Sequence, residues 1–554
     1  MTKTLPELLS SDAWWQGVGP ALSADGRALV KETLTQAAAT LGEEESQKFA
    51  KALGALHAPS AEQLAWLRDV AAVPNSGEIL DLSNILICHP DTGAPIDFVN
   101  RPLPAVTFKR SVFAGEADFG QARLTGGVNF REATFAGPAK FLAVTFPGQV
   151  NANFSGATFT GEANFWKATF GDVAYFTEAT FTGEADFGQA TFTREANFWK
   201  ATFTREANFI HAKFTGQAYF WEATFTGQAD FEGATFTGQA NFLQATFTGQ
   251  AIFRQATFAG EASFDHATFT GQASFLETTF TGEANFWKAT FTGQTNFEHT
   301  EFLGITIFRE AHFKQVANFH AARFSKTVSF RGSDWGAVPD FIGTAWKDGV
   351  AVADFEQLQT KLNKGELDWR DPSTSTPITD RLQALRKMAR DADDRPRELD
   401  YFALELQARY QSKGAWAKRF LVNLYGWFSD YGRGVFLPLR GLMELCLLSM
   451  LCYWVLADGD GSVLSNDRLF ALTYGVLPDV DWSVWDKALL LSLVNALPTL
   501  GAGSTARESS VAALYGSNIS DVPGLVHGIA VGEGVIGLIL LFLIALGLRN
   551  RFRL

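Results

Sequence analysis

Cysteine is scarce and poorly placed for cross-linking. Cys88, Cys446 and Cys452 are the only three in 554 residues, too few for a disulfide framework and without the spacing of a metal-binding pair, so a reducing compartment is the natural reading. Methionine, at 4, and tyrosine, at 9, are rare beside 51 phenylalanines. A mixed core would draw more evenly on its apolar side chains, so a periodic element built on Phe is expected. Positive charge is lacking too. A formal charge of -13 argues against nucleic acid as a partner, because that surface needs a basic face to replace counterions. The first thirty residues have no signal-like apolar run, which predicts a cytoplasmic amino end. No nucleophile elbow, phosphate loop, paired-carboxylate motif or metal-ligand spacing occurs, so no enzyme activity, catalytic residue, cofactor or metal is expected.

What the chain has instead is rhythm. From Phe154 the phenylalanines fall at Phe159, Phe165, Phe170, Phe176, Phe181 and Phe187 and continue to Phe330 in alternating steps of five and six, a period of eleven. The rhythm runs back from Phe146 to Phe108, with Leu124 as a substitute and a two-residue slip at "PGQVNANF". A helix would need apolar residues three or four apart, whereas each Phe here stands alone between polar neighbours with Gly nearby. Short strands fit this pattern. Phe and the Ala two residues before it turn inward, Thr158 and Thr160 turn outward as good β-formers, and Gly161 and its equivalents allow corners. Coils of this kind stack at about 4.8 Å into a β-solenoid.

The units "ANFWK", "ADFGQ", "ANFIH" and "ANFLQ" resemble the pentapeptide-repeat family, whose repeat is A-[DN]-[LF]-x-x. The resemblance covers about residues 105 to 332 and implies a right-handed parallel β-helix of quadrilateral section, one unit per side. One inserted residue in every second unit predicts rungs of about 22 residues, and roughly ten rungs would make a rod near 50 Å long. Helix-like stretches within 1–78 are expected to cap this β-helix, set at 79–332, and "SDWGAVPDF" to close its other end. Between Ala105 and Phe330, 20 acidic side chains face 16 basic ones, too mixed for a DNA-mimicking field. His211, His266, His299, His312 and His320 are expected at the surface, without ligand geometry.

Residues 333–434 read as a helical connector, with Leu382, Leu385, Met388, Phe402, Leu404, Leu406 and Tyr410 marking apolar faces. Its end mixes aromatic and basic residues, which favours an interfacial helix held at lipid by Trp416, Arg419, Trp427 and Arg433. Residues 435–554 form the membrane end. Segments 435–457 and 524–548 are long and apolar enough to span; 487–503 is too short and is expected to dip in and return. Arg440 ahead of the first span's core, and Arg549 and Arg551 after the second, predict cytoplasmic termini.

The order span, short helix, Gly-rich turn, span resembles the pore module of two-helix potassium channels. Thr499, Leu500, Gly501, Ala502 and Gly503 stand where those channels read T-V-G-Y-G; Thr and both glycines match, while Leu replaces Val, Ala replaces the aromatic, and Pro498 precedes them. The resemblance implies a filter of backbone carbonyls, an inorganic ion as permeant and a homo-oligomer to enclose it. Glu444, Glu533 and Gly537 are the candidates for lining or gating the path, with His527 nearby. The expectation is a multi-pass protein of the bacterial inner membrane, a channel or conduit whose cytosolic solenoid is a sensor or docking arm for a protein partner. The alternative is an interaction scaffold with the spans as tether only.

Overall fold

The computed structural model describes residues 5–19, 22–69, 79–149, 151–347, 355–364, 376–413, 423, 425–427, 436–456, 482–497, 503–515 and 524–552. The chain forms two units, Met1–Ala384 and Leu385–Leu554.

The first unit is a parallel β-solenoid with helical ends. Two-residue strands run from β1 (Leu80–Asp81) to β46 (Ala345–Trp346) and pair in four sheets of 12, 10, 12 and 12 strands. Ala163 and Asn164 pair with Ala185 and Asp186, so each coil advances twenty-two residues, as the inserted residue predicts. Inside, every ring meets two kinds of neighbour. Phe165 stacks on Phe187 with centroids 4.8 Å apart and planes 1° from parallel, while Phe154 meets Phe165 at 5.4 Å and 87°. Stacked contacts along the axis and edge-to-face contacts across it are both favourable for the ring quadrupole. Ala163 and Ala168 fill the space beside the rings and are fully buried.

The corners explain the Asn or Asp of the repeat. Asn164 Oδ1 accepts the Trp166 N–H at 3.0 Å, and Asp186 Oδ1 accepts the Gly188 N–H at 2.8 Å. The next residue then turns left-handed, with φ of 57° at Lys167 and 56° at Gln189. A short polar side chain thus satisfies the donor that the corner would orphan. Many of the alternate corners use glycine for a different reason, although Arg194 and Arg205 stand at the same position of the unit. A Cβ on Gly183 would lie 2.2 Å from the Gly161 carbonyl oxygen of the preceding coil.

Five helices, α1 (Leu5–Leu9), α2 (Asp12–Val18), α3 (Ala24–Ala39), α4 (Glu43–Gly54) and α5 (Ala61–Arg68), precede the coils. Trp15, Val30, Leu34, Phe49 and Leu53 share a core with Leu86, Val112, Ala114 and Ala136, so these helices lean on the side of the first coils as well as capping them. Thr160, expected outward, is consequently buried and donates to the Phe135 carbonyl at 3.0 Å. The cap proper is Trp66 of α5, whose ring lies 6.0 Å from Phe98 and 6.4 Å from Phe108.

At the other end the array continues beyond "SDWGAVPDF" instead of stopping there. Trp335 stacks on Phe313 at 4.6 Å, Phe341 on Phe319 at 5.0 Å and Trp346 on Phe324 at 4.7 Å, so other aromatics extend the ring columns after the repeat wording is lost. The sheets of twelve strands therefore make about twelve coils, not ten. Closure comes from Phe355, just before α6 (Glu356–Lys364), whose ring lies 5.3 Å from Phe330 and 5.6 Å from Phe341. Lys361 of α6 bonds the Asp334 carboxylate and donates to the Trp335 carbonyl at 3.1 Å.

Helix α7 (Ile378–Asp391) begins in the first unit and ends in the second, and buries Leu385 and Met388; in the second unit α8 (Arg395–Lys413) buries Tyr401 and Leu404. Leu382 is buried as expected, while Phe402 and Leu406 are half-buried. Arg386 pairs with Glu405 at 2.7 Å and Arg390 with Glu398 at 2.9 Å. Four further helices follow: α9 (Phe436–Leu456), α10 (Trp482–Ala496), α11 (Gly503–Tyr515) and α12 (Gly524–Phe552). Helix α10 packs on each of the other three.

Candidate functional site

Phe436–Trp454 of α9 and Gly524–Leu546 of α12 are long and apolar enough to cross a membrane. With 15 residues, α10 reaches only about 22 Å against a hydrocarbon core of about 30 Å. Large apolar side chains face outward on both long helices: Phe436, Met443 and Leu448 on α9, and Val531, Ile539 and Phe542 on α12. Exposed apolar surface on this scale is rare on a soluble monomer.

The interior is different. Met450, Trp454, Leu491, Leu514 and Val526 make one apolar cluster, and Leu442, Cys446, Ala496 and Leu540 another. Between them lies Glu533, 2% exposed. Its Oε2 accepts from the Tyr453 hydroxyl at 2.8 Å, and its Oε1 accepts from the Ser492 hydroxyl. Asn495 Nδ2 donates to the Tyr453 oxygen at 3.1 Å, and the Tyr515 hydroxyl donates to the Tyr453 carbonyl at 2.9 Å. All four helices therefore feed one polar centre. In a dry interior such a network is strong when every member is satisfied and costly when one is removed. Chemically it fixes a carboxyl group at the junction of α9, α10 and α12.

The residues singled out from sequence divide sharply. Glu533 belongs to the buried centre, well inside α12. Glu444 does not: it is exposed and pairs with Arg440 one turn back on α9, at 2.6 Å. Gly537 is a packing residue, since a Cβ there would lie 2.2 Å from the Ala496 carbonyl oxygen; only glycine lets the end of α10 approach α12 this closely. His527 is exposed. Thr499, Leu500, Gly501 and Ala502 lie outside the described residues, as do Trp416, Arg419 and Arg433. Gly503 opens α11, and the short helix runs from Trp482 to Ala496, not over 487–503. Trp427 is 75% exposed, and Arg549 and Arg551 fall in the last turn of α12.

Sequence reasoning missed Tyr453, Ser492, Asn495 and Tyr515. A signal was present: Ser492 and Asn495 are three apart in the otherwise apolar "LLLSLVNAL", and Cys446, Ser449 and Tyr453 share one face of α9 at helical spacing.

Overlapping stretches at 119–169, 165–213, 209–257, 253–301 and 297–345 match the family of pentapeptide repeats (9 copies). These stretches make up about two-fifths of the chain, and the solenoid they cover is a pentapeptide-repeat solenoid. No curated protein and no solved structure matches the chain.

Proposed function

Starting from a pentapeptide-repeat solenoid joined in one chain to two helices of spanning length, we propose that this is a membrane protein whose helical units associate between copies to form an ion conduit. The observation that carries the reading is α10: an apolar helix too short to cross, packed against both long helices and leading toward Thr499 to Gly503. Non-helical backbone at membrane depth is tolerated only where it is enclosed by protein or lines water. One copy has too few helices to surround a path, so the conduit is a homo-oligomer, and the outward apolar side chains of α9 and α12 serve lipid and neighbouring copies. The basic residues flanking the spans favour an inner-membrane protein with both termini in the cytoplasm. The solenoid then acts as a rigid arm for sensing or docking.

A second reading has its own support. Glu533 is satisfied inside its own protomer, which suits a helical unit built only as a stable tether for a scaffold. Full-length protein in planar bilayers separates the two. Ion current abolished by Gly501→Trp, with oligomers intact, supports the conduit; silence from well-formed oligomers removes it and leaves the tether.

A further inference from the structure

Five carboxyl side chains among the described residues are buried, and four of them have the partners that such a group needs. Glu398 meets Arg390 at 2.9 Å and Glu405 meets Arg386 at 2.7 Å. Asp230 and Asp340 accept the main-chain N–H groups of Glu232 and Ile342 at 2.9 Å each. Glu533, 2% exposed, is different. Among the described residues only hydroxyls bond it, and a hydroxyl has a single hydrogen.

Those hydrogens can be counted. Asn495 Nδ2 donates to the Tyr453 oxygen at 3.1 Å, and the Tyr453 hydrogen goes to Glu533 Oε2 at 2.8 Å. Ser492 has two acceptors in reach, Glu533 Oε1 and the Cys446 carbonyl oxygen at 2.9 Å, and one hydrogen for both. Drawn with an ionised Glu533, one of these two oxygen pairs has no hydrogen between its members. A proton on Oε1 completes the set, because the acid then donates to Ser492 and Ser492 donates to the carbonyl. Ser449, one turn before Tyr453, also comes near the carboxyl, which adds a donor without relieving the Ser492 pair. The oxygens stand at hydrogen-bond separation, so no space is left between them for a metal ion. The titratable groups around Glu533 are Cys446, Cys452 and Tyr453 on α9 and Tyr515 on α11, none of them positive. Lys487 on α10 lies 3.9 Å from Asp486, and Arg507 on α11 and His527 on α12 are exposed.

We propose that Glu533 is a proton-binding site: it holds a proton on Oε1 while α9, α10 and α12 are packed together, and loss of that proton loosens α10. An ionised carboxyl at this place has one hydrogen too few, so Ser492 must part from Cys446 or water must enter. The inference holds whether the helical unit conducts or only tethers.

Infrared spectra of the full chain in nanodiscs test it. Subtracting Glu533→Gln from the wild type at neutral pH should leave the carbonyl stretch of one un-ionised carboxylic acid, sensitive to D₂O. In Ser492→Ala, which removes the acceptor of that proton, the band should move to higher frequency. A glutamine side chain accepts at one end and donates at the other, as the protonated acid does. Glu533→Gln should therefore keep the unfolding equilibrium within about threefold of the wild type, while Glu533→Leu should shift it by about tenfold or more. Raising the pH should speed amide exchange in α10 of the wild type relative to Glu533→Gln. The proposal is overturned by a wild type without the acid band, by a band that Ser492→Ala does not move, by a Glu533→Gln unit that unfolds as readily as Glu533→Leu, or by α10 exchange with the same pH dependence in both proteins. Loss of the band on adding Na⁺ at constant pH overturns it too, in favour of a metal site.

Discussion

The Tyr453 hydroxyl donates to Glu533 Oε2 at 2.8 Å across eighty residues of sequence, fastening α9 to α12 through a carboxyl group that solvent does not reach. Removing that donor leaves the acid short of a partner in a dry interior. Tyr453→Phe should therefore cost about 1.5–3 kcal/mol, while Tyr515→Phe, which loses only a bond to a main-chain carbonyl, should cost about 0.5–1.5 kcal/mol. Thermal unfolding of both variants in the same detergent checks the order. Equal losses would mean that Glu533 does not organise the helical unit.

The solenoid should respond locally to loss of a ring. Phe231 stacks on Phe209 and Phe253 at 4.7 and 4.9 Å and meets Phe220 and Phe242 edge-on at 5.4 and 5.6 Å. Phe231→Ala should cost about 3–5 kcal/mol, and Phe231→Leu clearly less, since Leu124 already fills such a place in the native array. Because each coil touches only its neighbours, amide-exchange protection should fall in the coils around Phe231 and persist near Trp66. A uniform loss along the rod would contradict this picture.

Left-handed corners offer a gain and a loss. Glu178 has φ 57°, and Glu178→Gly should relieve about 1 kcal/mol of backbone strain. Gly233 occupies the same kind of corner at φ 63°, where a Cβ would also meet His211 Nδ1 at 2.3 Å. Gly233→Ala should destabilise by at least about 1 kcal/mol. Chemical denaturation midpoints of the two variants should move in opposite directions.

Burial pushes the Asp230 carboxyl above its usual range, opposed by the Glu232 N–H it accepts and assisted by the Glu232 charge. The native state then holds a proton that the unfolded chain has already released. Stability must fall as pH rises from the ordinary carboxyl value through the raised one. Asp230→Asn keeps the corner hydrogen bond, as Asn208 and Asn241 do, and removes the charge. The variant should match the wild type at the acid end and overtake it as pH approaches neutrality. A constant difference across pH would show that burial does not perturb this carboxyl.

Much of the solenoid was legible because its interactions repeat. The spacing from Phe154 to Phe176 already states the length of a coil, and an alanine two residues before most of the repeat phenylalanines already states what fits beside the ring. The Asn or Asp of the unit was visible as a pattern, but its reason, the N–H two residues on, needed the corner to be seen. The ends were less legible. Trp66 and Phe355 close the ring columns from helices outside the repeat, and Trp335, Phe341 and Trp346 prolong them where the repeat wording has gone.

By itself the sequence determined the period, the inward side chains and the apolar helices, because those depend on each residue and neighbours at fixed offsets in the chain. Tertiary structure alone decided that Glu533 is enclosed while Glu444 faces outward, and that Thr160 lies buried beside the first helices. The physical reason is the same in each case. Whether a polar group is paired, stranded or solvated depends on which distant surface comes to rest against it, and no local spacing encodes that.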